Sequence, residues 1–112
     1  MNYDSEIILM KEAYEALAKN SANFTALTPI SFLQRTADIY GEREAIIYGD
    51  RRYSWRKCNE RCLRMASSLI ELGIDKGDTV AVLAFNTPEM FEAHFFVPMT
   101  GAVLNTINTR LD

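Results

Sequence analysis

Histidine occurs once in the 112 residues, cysteine twice and tryptophan once, and the five glycines never precede a lysine. With no two glycines closer than four positions, neither a G-x-G-x-x-G turn nor a G-x-x-x-x-G-K-[ST] phosphate loop is present. The lone His94 excludes a His-x-x-x-His zinc pair, and Cys58 and Cys62 by themselves cannot complete a tetrahedral site, so no metal centre is expected from these residues. Long apolar runs are missing too. The longest, Val80 to Phe85, is far short of the roughly 20 residues of a spanning helix. The apolar run Ile7 to Met10, set among Asp4, Glu6, Lys11, Glu12, Glu15 and Lys19, is too short for the core of a secretory signal. An intracellular chain is therefore expected, and the Asn23-Phe24-Thr25 triplet is read as incidental rather than as a glycosylation acceptor.

What is there is a folding composition. Hydrophobic residues make up 48% and aromatics 11%, too apolar for intrinsic disorder. The length allows one compact unit at most and excludes a large enzyme within this chain. Fifteen acidic against twelve basic side chains, a net charge of -3, argue against a whole-surface field built for nucleic acid. Cys58 and Cys62 lie four apart on one expected helix, a spacing that keeps their β-carbons farther apart than a disulfide wants, so free thiols are expected.

Ile7, Met10, Tyr14 and Leu17 fall at helical spacing between Ser5 and Asn20. Thr28 and Pro29 read as an N-cap and first helical residue, opening a helix with the stripe Ile30, Leu33, Ala37 and Tyr40 and a left-handed stop at Gly41. Ala45–Tyr48 and Arg52–Ser54 around Gly49-Asp50 read as a hairpin. Ser54 caps a long helix, Trp55 to about Leu72, with Trp55, Cys58, Cys62, Ala66 and Leu69 inward and Gly73 as its stop. Thr79 to Phe85 reads as an interior strand buried on both faces. Thr87 and Pro88 open a further helix through Phe91, Phe95 and Phe96, which Pro98 should kink or end, and Ala102 to Leu104 offers one more strand. Strand, helix, strand makes a parallel βαβ unit, so the fold class is α/β.

Three features invite a functional reading. His94 sits in the second turn after Pro88, beyond the carboxyl end of the apolar strand, where open α/β sheets place ligands; the plainer reading is a histidine hydrogen-bonded to backbone. The loop Asn86-Thr87-Pro88 divides in the same way between ligand contact and helix capping. Arg51, Arg52, Arg56, Lys57, Arg61 and Arg64 form a basic stretch offset locally only by Glu60. Arg56 and Lys57 fall in a first helical turn, where the dipole disfavours cations, so an anionic partner or salt links to distant acids should explain them. Met10, Met65, Met90, Met99 and the five tyrosines follow the apolar stripes or loops and read as packing residues.

Taken in order, Leu27-Thr28-Pro29-Ile30-Ser31-Phe32-Leu33, Ala45-Ile46-Ile47-Tyr48-Gly49, Tyr53-Ser54-Trp55, Leu72-Gly73-Ile74 before Gly77-Asp78, Val80-Ala81-Val82-Leu83, and Asn86-Thr87-Pro88-Glu89-Met90 resemble the start of the acyl-adenylate-forming enzymes. So does Pro98-Met99-Thr100-Gly101-Ala102-Val103-Leu104-Asn105-Thr106-Ile107-Asn108-Thr109-Arg110-Leu111-Asp112. The nearest resemblance is to plant-type acyl-activating enzymes, acid:CoA ligases for fatty or aromatic acids. It implies an AMP-forming ligase that uses ATP, Mg²⁺ and CoA to convert a small-molecule carboxylic acid into an acyl adenylate and then a thioester. The family's phosphate loop, acidic ribose and magnesium ligands and C-terminal lysine all belong downstream, so the resemblance places no catalytic, cofactor or metal residue on this chain.

The expectation is thus a leader at 1–26 and, at 27–112, the start of a truncated ligase domain whose main partner is the remainder of its own chain. This segment alone should be inactive and bind none of the cofactors. Relatives imply peroxisome or cytoplasm, a peroxisomal address being C-terminal. Two alternatives from the residues alone are a free-standing α/β interaction module gripping an acidic partner with its basic helix, and an RNA binder whose affinity falls steeply with salt.

Overall fold

The computed structural model describes residues 2–110, leaving Leu111 and Asp112, the end of the last resemblance motif, outside the described residues. Among the described residues, four helices and four strands follow one another as α1 (Tyr3–Glu15), α2 (Pro29–Tyr40), β1 (Glu44–Tyr48), β2 (Arg51–Ser54), α3 (Trp55–Glu71), β3 (Thr79–Leu83), α4 (Pro88–Met99) and β4 (Val103–Ile107). β1 and β2 form an antiparallel hairpin, β3 and β4 a separate parallel pair. The mixed α/β architecture is the one expected.

Local chemistry explains most boundaries. Thr28 Oγ1 accepts the Ser31 backbone N–H while Ser31 Oγ accepts that of Thr28, a reciprocal capping box that starts α2 at Pro29. Ser54 Oγ accepts the Lys57 N–H and Thr87 Oγ1 that of Met90, starting α3 and α4. α3 stops in a Schellman motif: Ile74 N–H donates to Leu69 C=O and Gly73 N–H to Ile70 C=O, with Gly73 at φ 95°. Gly49, at φ 58°, takes the first central position of the hairpin between the paired Tyr48 and Arg51, and Asp50 stays at negative φ, the sign pattern of a type II′ turn.

The core lies where α2, α3 and α4 meet. Leu33, Cys58, Cys62, Ala66, Ala93, Phe96, Val97 and Ala102 form its buried centre, flanked by Ile46, Trp55, Leu69, Ile74, Val80, Val82 and Leu104. Both cysteines are fully buried free thiols. Hydrogen bonding to Cys58 and then burial push the Cys62 thiol well above its ordinary range, which keeps it a packing residue rather than a nucleophile.

Several expectations are corrected. Gly41 does not turn left-handed; it stays helical at φ -48°. Its glycine character serves close approach instead, because a Cβ there would sit 2.5 Å from Ala37 O and 2.7 Å from the Arg56 guanidinium, whose backbone N–H donates to Gly41 C=O. Tyr40, expected on the buried stripe of α2, is exposed. β3 ends at Leu83 rather than Phe85 and is not buried on both faces. Val80 and Val82 are half-buried beside the core, whereas Thr79, Ala81 and Leu83 are exposed, since a helix covers only one side of this two-stranded sheet. β4 starts one residue later than expected and ends three later, set by its pairing Thr79↔Val103 through Leu83↔Ile107. α1 ends at Glu15, not Asn20, and buries nothing. Pro98 lies within the last turn of α4 without ending it there, and Met99 follows as its last residue.

Candidate functional site

β3 and β4 run parallel, so their carboxyl ends open together, and the N-terminal half of α4 passes over that end. A cleft of about 370 Å³ results, lined by Ala84, Asn86, Met90, His94, Thr106, Ile107, Asn108 and Thr109. The structure therefore brings His94 and Asn86 together, as their places in the sequence suggested. What each side chain does there is plainer. His94 Nδ1 lies 2.8 Å from Met90 C=O, an acceptor only, so Nδ1 carries the hydrogen and donates it one helical turn back. Thr87 is the α4 cap, and its N–H donates to Phe85 C=O at 2.7 Å. The chemistry on offer is hydrogen bonding from amides, hydroxyls and one imidazole.

Most of the basic stretch proves to be tied to acids that sequence spacing did not associate with it. Arg51 pairs with Glu89, Arg52 with Glu44, Arg56 with Glu42 and Lys57 with Glu60. Arg61 grips Glu92 with both ends of its fork, Nε to Oε1 at 2.6 Å and Nη2 to Oε2 at 2.9 Å, and stacks over the Tyr53 ring at 4.5 Å. Hydrogen bonding to Glu92 raises the Arg61 pKa further, so this cation is permanent. Only Arg64 of the six has no acid within ion-pair distance among the described residues. Salt links, with the hairpin and α4 supplying three of the carboxylates, thus account for the basic face. Glu92, 4% exposed, is the one buried charged residue among the described residues, and the sequence pattern did not single it out. No local signal could have found it, because its partner is 31 positions away.

Arg51 holds the Glu89 carboxyl down to about 2, helped by the backbone N–H of Glu89 itself. Glu89 also lies 3.6 Å from Arg61, so the four residues Arg51, Glu89, Arg61 and Glu92 link β2, α3 and α4 in one chain of alternating charge. Such a chain positions elements; it presents no free nucleophile or base.

The AMP-binding enzyme family pattern matches residues 33–112. The chain belongs to the AMP-binding enzyme family. Within it, the chain is 54% identical over 96 residues to the peroxisomal benzoate–CoA ligase of Arabidopsis thaliana, covering 86% of this chain and 17% of that protein. It is 55% identical over 91 residues to the peroxisomal butyrate–CoA ligase of the same plant, covering 81% and 16%. Among solved structures, the O-succinylbenzoate coenzyme A synthetase of Bacillus subtilis, in complex with ATP and magnesium ion, superposes with a TM-score of 0.66 at 32% identity over 72% of this chain and 22% of that one. The chain spans about a sixth of the length of the curated relatives it matches.

A nucleotide and its metal would need phosphate-cradling backbone and a set of acidic or nitrogen ligands. Among the described residues no group of three His, Cys, Asp or Glu side chains could hold a metal ion, and no glycine-rich loop could cradle phosphates. No helix among the described residues is long and apolar enough to cross a membrane.

Proposed function

We propose that residues 27–112 form the opening part of an AMP-forming acid:CoA ligase, with 1–26 as a leader. In the intact protein a carboxylate oxygen attacks the α-phosphorus of ATP, releasing pyrophosphate and leaving an acyl adenylate. The thiol of CoA then attacks the acyl carbon, releasing AMP and forming the thioester. The observation that carries the reading is the match to the family over 33–112 with 54% identity to a benzoate–CoA ligase and 55% to a butyrate–CoA ligase.

Physical features support it. The chain exposes 8683 Å², against about 6,300 Å² for a compact monomer of 12.8 kDa. Part of that excess is the outer face of the parallel pair, with Leu83 66% and Val103 58% exposed, on a kind of sheet that proteins cover on both sides. Further chain packed on β3 and β4 would complete the layer and would bring the reacting groups that these residues lack. This segment's own part is to supply a sheet edge and its covering helices. The names of the two plant relatives favour a short aliphatic or an aromatic acid and a peroxisomal setting.

The test is AMP release by the intact protein given ATP, Mg²⁺ and CoA with benzoate or butyrate as acid. AMP formed only when both acid and CoA are present supports the reading. Release of ADP, or no acid-dependent turnover with either acid or with longer fatty acids, overturns it. ATP–pyrophosphate exchange by the isolated 112 residues would overturn the assignment of the chemistry to other parts of the chain.

A further inference from the structure

His94 belongs to two adjoining clefts at once. The cleft at the strand ends, about 370 Å³, offers the polar side chains of Asn86, Thr106, Asn108 and Thr109. A second, about 490 Å³, runs over Met90, Phe91 and Phe95 of α4, and Asn86, Met90 and His94 line both. Phe91 and Phe95 meet edge to face at 5.3 Å and make the apolar wall of the second cleft. Among the described residues no charged side chain lines either, whereas the clefts at Arg61 and Glu92 and at Asp38 and Arg43 are lined by charges. The His94 ring is set for one task. Its Nδ1–H goes to Met90 C=O, which fixes the tautomer and leaves Nε2 an acceptor with no protein donor among the described residues. His94 is exposed, so that acceptor is open to a ligand. Small-molecule sites favour this place and make-up: the carboxyl ends of parallel strands, and a few polar groups beside an apolar wall.

We propose that His94 contacts substrate in the intact ligase, its Nε2 accepting an N–H or O–H from an uncharged, partly apolar segment. This role rests on the ligase reading of the intact protein. Charge selects the segment. The phosphates of ATP and CoA and the carboxylate of the acid would lose water here without meeting a cation, which disfavours all of them. Two substrate segments are uncharged, carry a donor and are flanked by hydrocarbon. One is the amide-bearing arm of CoA, between its phosphates and its thiol. The other is a hydroxyl on the hydrocarbon part of an acid. Both present the same chemistry to Nε2: a neutral donor beside carbon that the Phe91 and Phe95 wall can cover.

Steady-state kinetics of the intact protein separates the two sources, with ATP–pyrophosphate exchange reading the acid step in the absence of CoA. In His94→Leu, a KM for CoA raised about three- to tenfold at little-changed kcat, with exchange unaltered, assigns the donor to the CoA arm. A rise of that size in the exchange KM for para-hydroxybenzoate but not for benzoate, at unchanged KM for CoA, assigns it to the acid. Either result supports the proposal when His94→Gln, which keeps an acceptor, recovers most of the loss. KM values for CoA and both acids that stay within about twofold of the unsubstituted protein overturn it, since one lost hydrogen bond should cost more. A loss that His94→Gln leaves in place also overturns it, by marking a structural role. An unsubstituted protein that forms no AMP from acid, ATP and CoA overturns the ligase reading and this role with it, and shows so before any substitution is made.

Discussion

α3 and β3 are the two elements with the strongest apolar patterns in the sequence, and they meet opposite fates. On α3 the apolar residues recur every three or four positions, and the helix buries Cys58, Cys62 and Ala66 while Arg64, Ser67 and Ser68 face water. Its inward stripe is covered, while Leu63, Met65 and Ile70 stay exposed on its other sides. β3 is apolar at Val80, Ala81, Val82 and Leu83, yet only Val80 and Val82 meet the core and Leu83 stands exposed beside β4. Its pattern asks for two covered faces and has one. The contrast teaches that hydrophobicity beyond what an element buries marks a surface meant for further packing, and that this excess is greatest where a strand made to be covered on two faces has one.

The contrast can be sharpened by substitution in the intact protein, read by thermal and denaturant unfolding. The largest effect is expected from Cys62→Asp, which puts an unpaired charge at a fully buried position of α3 and should cost about 4 kcal/mol or more. Leu83→Asp on the open side of β3 comes next. If further chain covers that face it should cost more than about 2 kcal/mol, and a change within about 0.5 kcal/mol would break the comparison by showing β3 as finished as α3. Glu92→Gln keeps the shape but removes the anion that Arg61 grips between α3 and α4. Because Arg61 is still 29% exposed, the expected loss is about 1–3 kcal/mol, smaller than for a fully buried pair.

The smallest effect is a pH dependence. Glu89 is held at about 2, below its ordinary 4.5, so its ionised form stabilises the fold. That contribution is complete above about pH 4.5 and is lost as pH falls toward 2. Both Glu89 and Arg51 are substantially exposed, so salt should weaken the effect. Glu89→Gln should remove this part of the acid sensitivity, seen as a flatter unfolding midpoint between pH 5 and 2 (roughly the titration range of a carboxylate). An unchanged profile would take Glu89 out of the network that ties β2 to α4.

Elements whose cause is local were legible in the order of residues alone. Thr28-Pro29, Ser54, Gly73 and Thr87-Pro88 each act through hydrogen bonds or dihedrals within a few residues, and each boundary falls where its cap sits. Gly41 was misjudged because its constraint is crowding by the Ala37 carbonyl and the Arg56 side chain rather than its own φ. The site was half legible. His94 and Asn86 do share a cleft at the strand ends, as parallel topology requires, but the acids that neutralise Arg51 and Arg61 lie 38 and 31 positions away and carry no mark in the sequence. The functional family was legible because its signal is the order of many weak motifs, and order survives where a single catalytic residue is missing.

The sequence by itself determined the caps, the helix faces, the parallel pair and the family, because these rest on short-range sterics, hydrogen bonding and the periodicity of apolar residues. Tertiary structure alone decided which acid holds Arg51 and Arg61 and which face of β3 is left open. Those outcomes depend on distances between segments far apart in the chain, and a linear order of residues contains no such distances until the helices have packed.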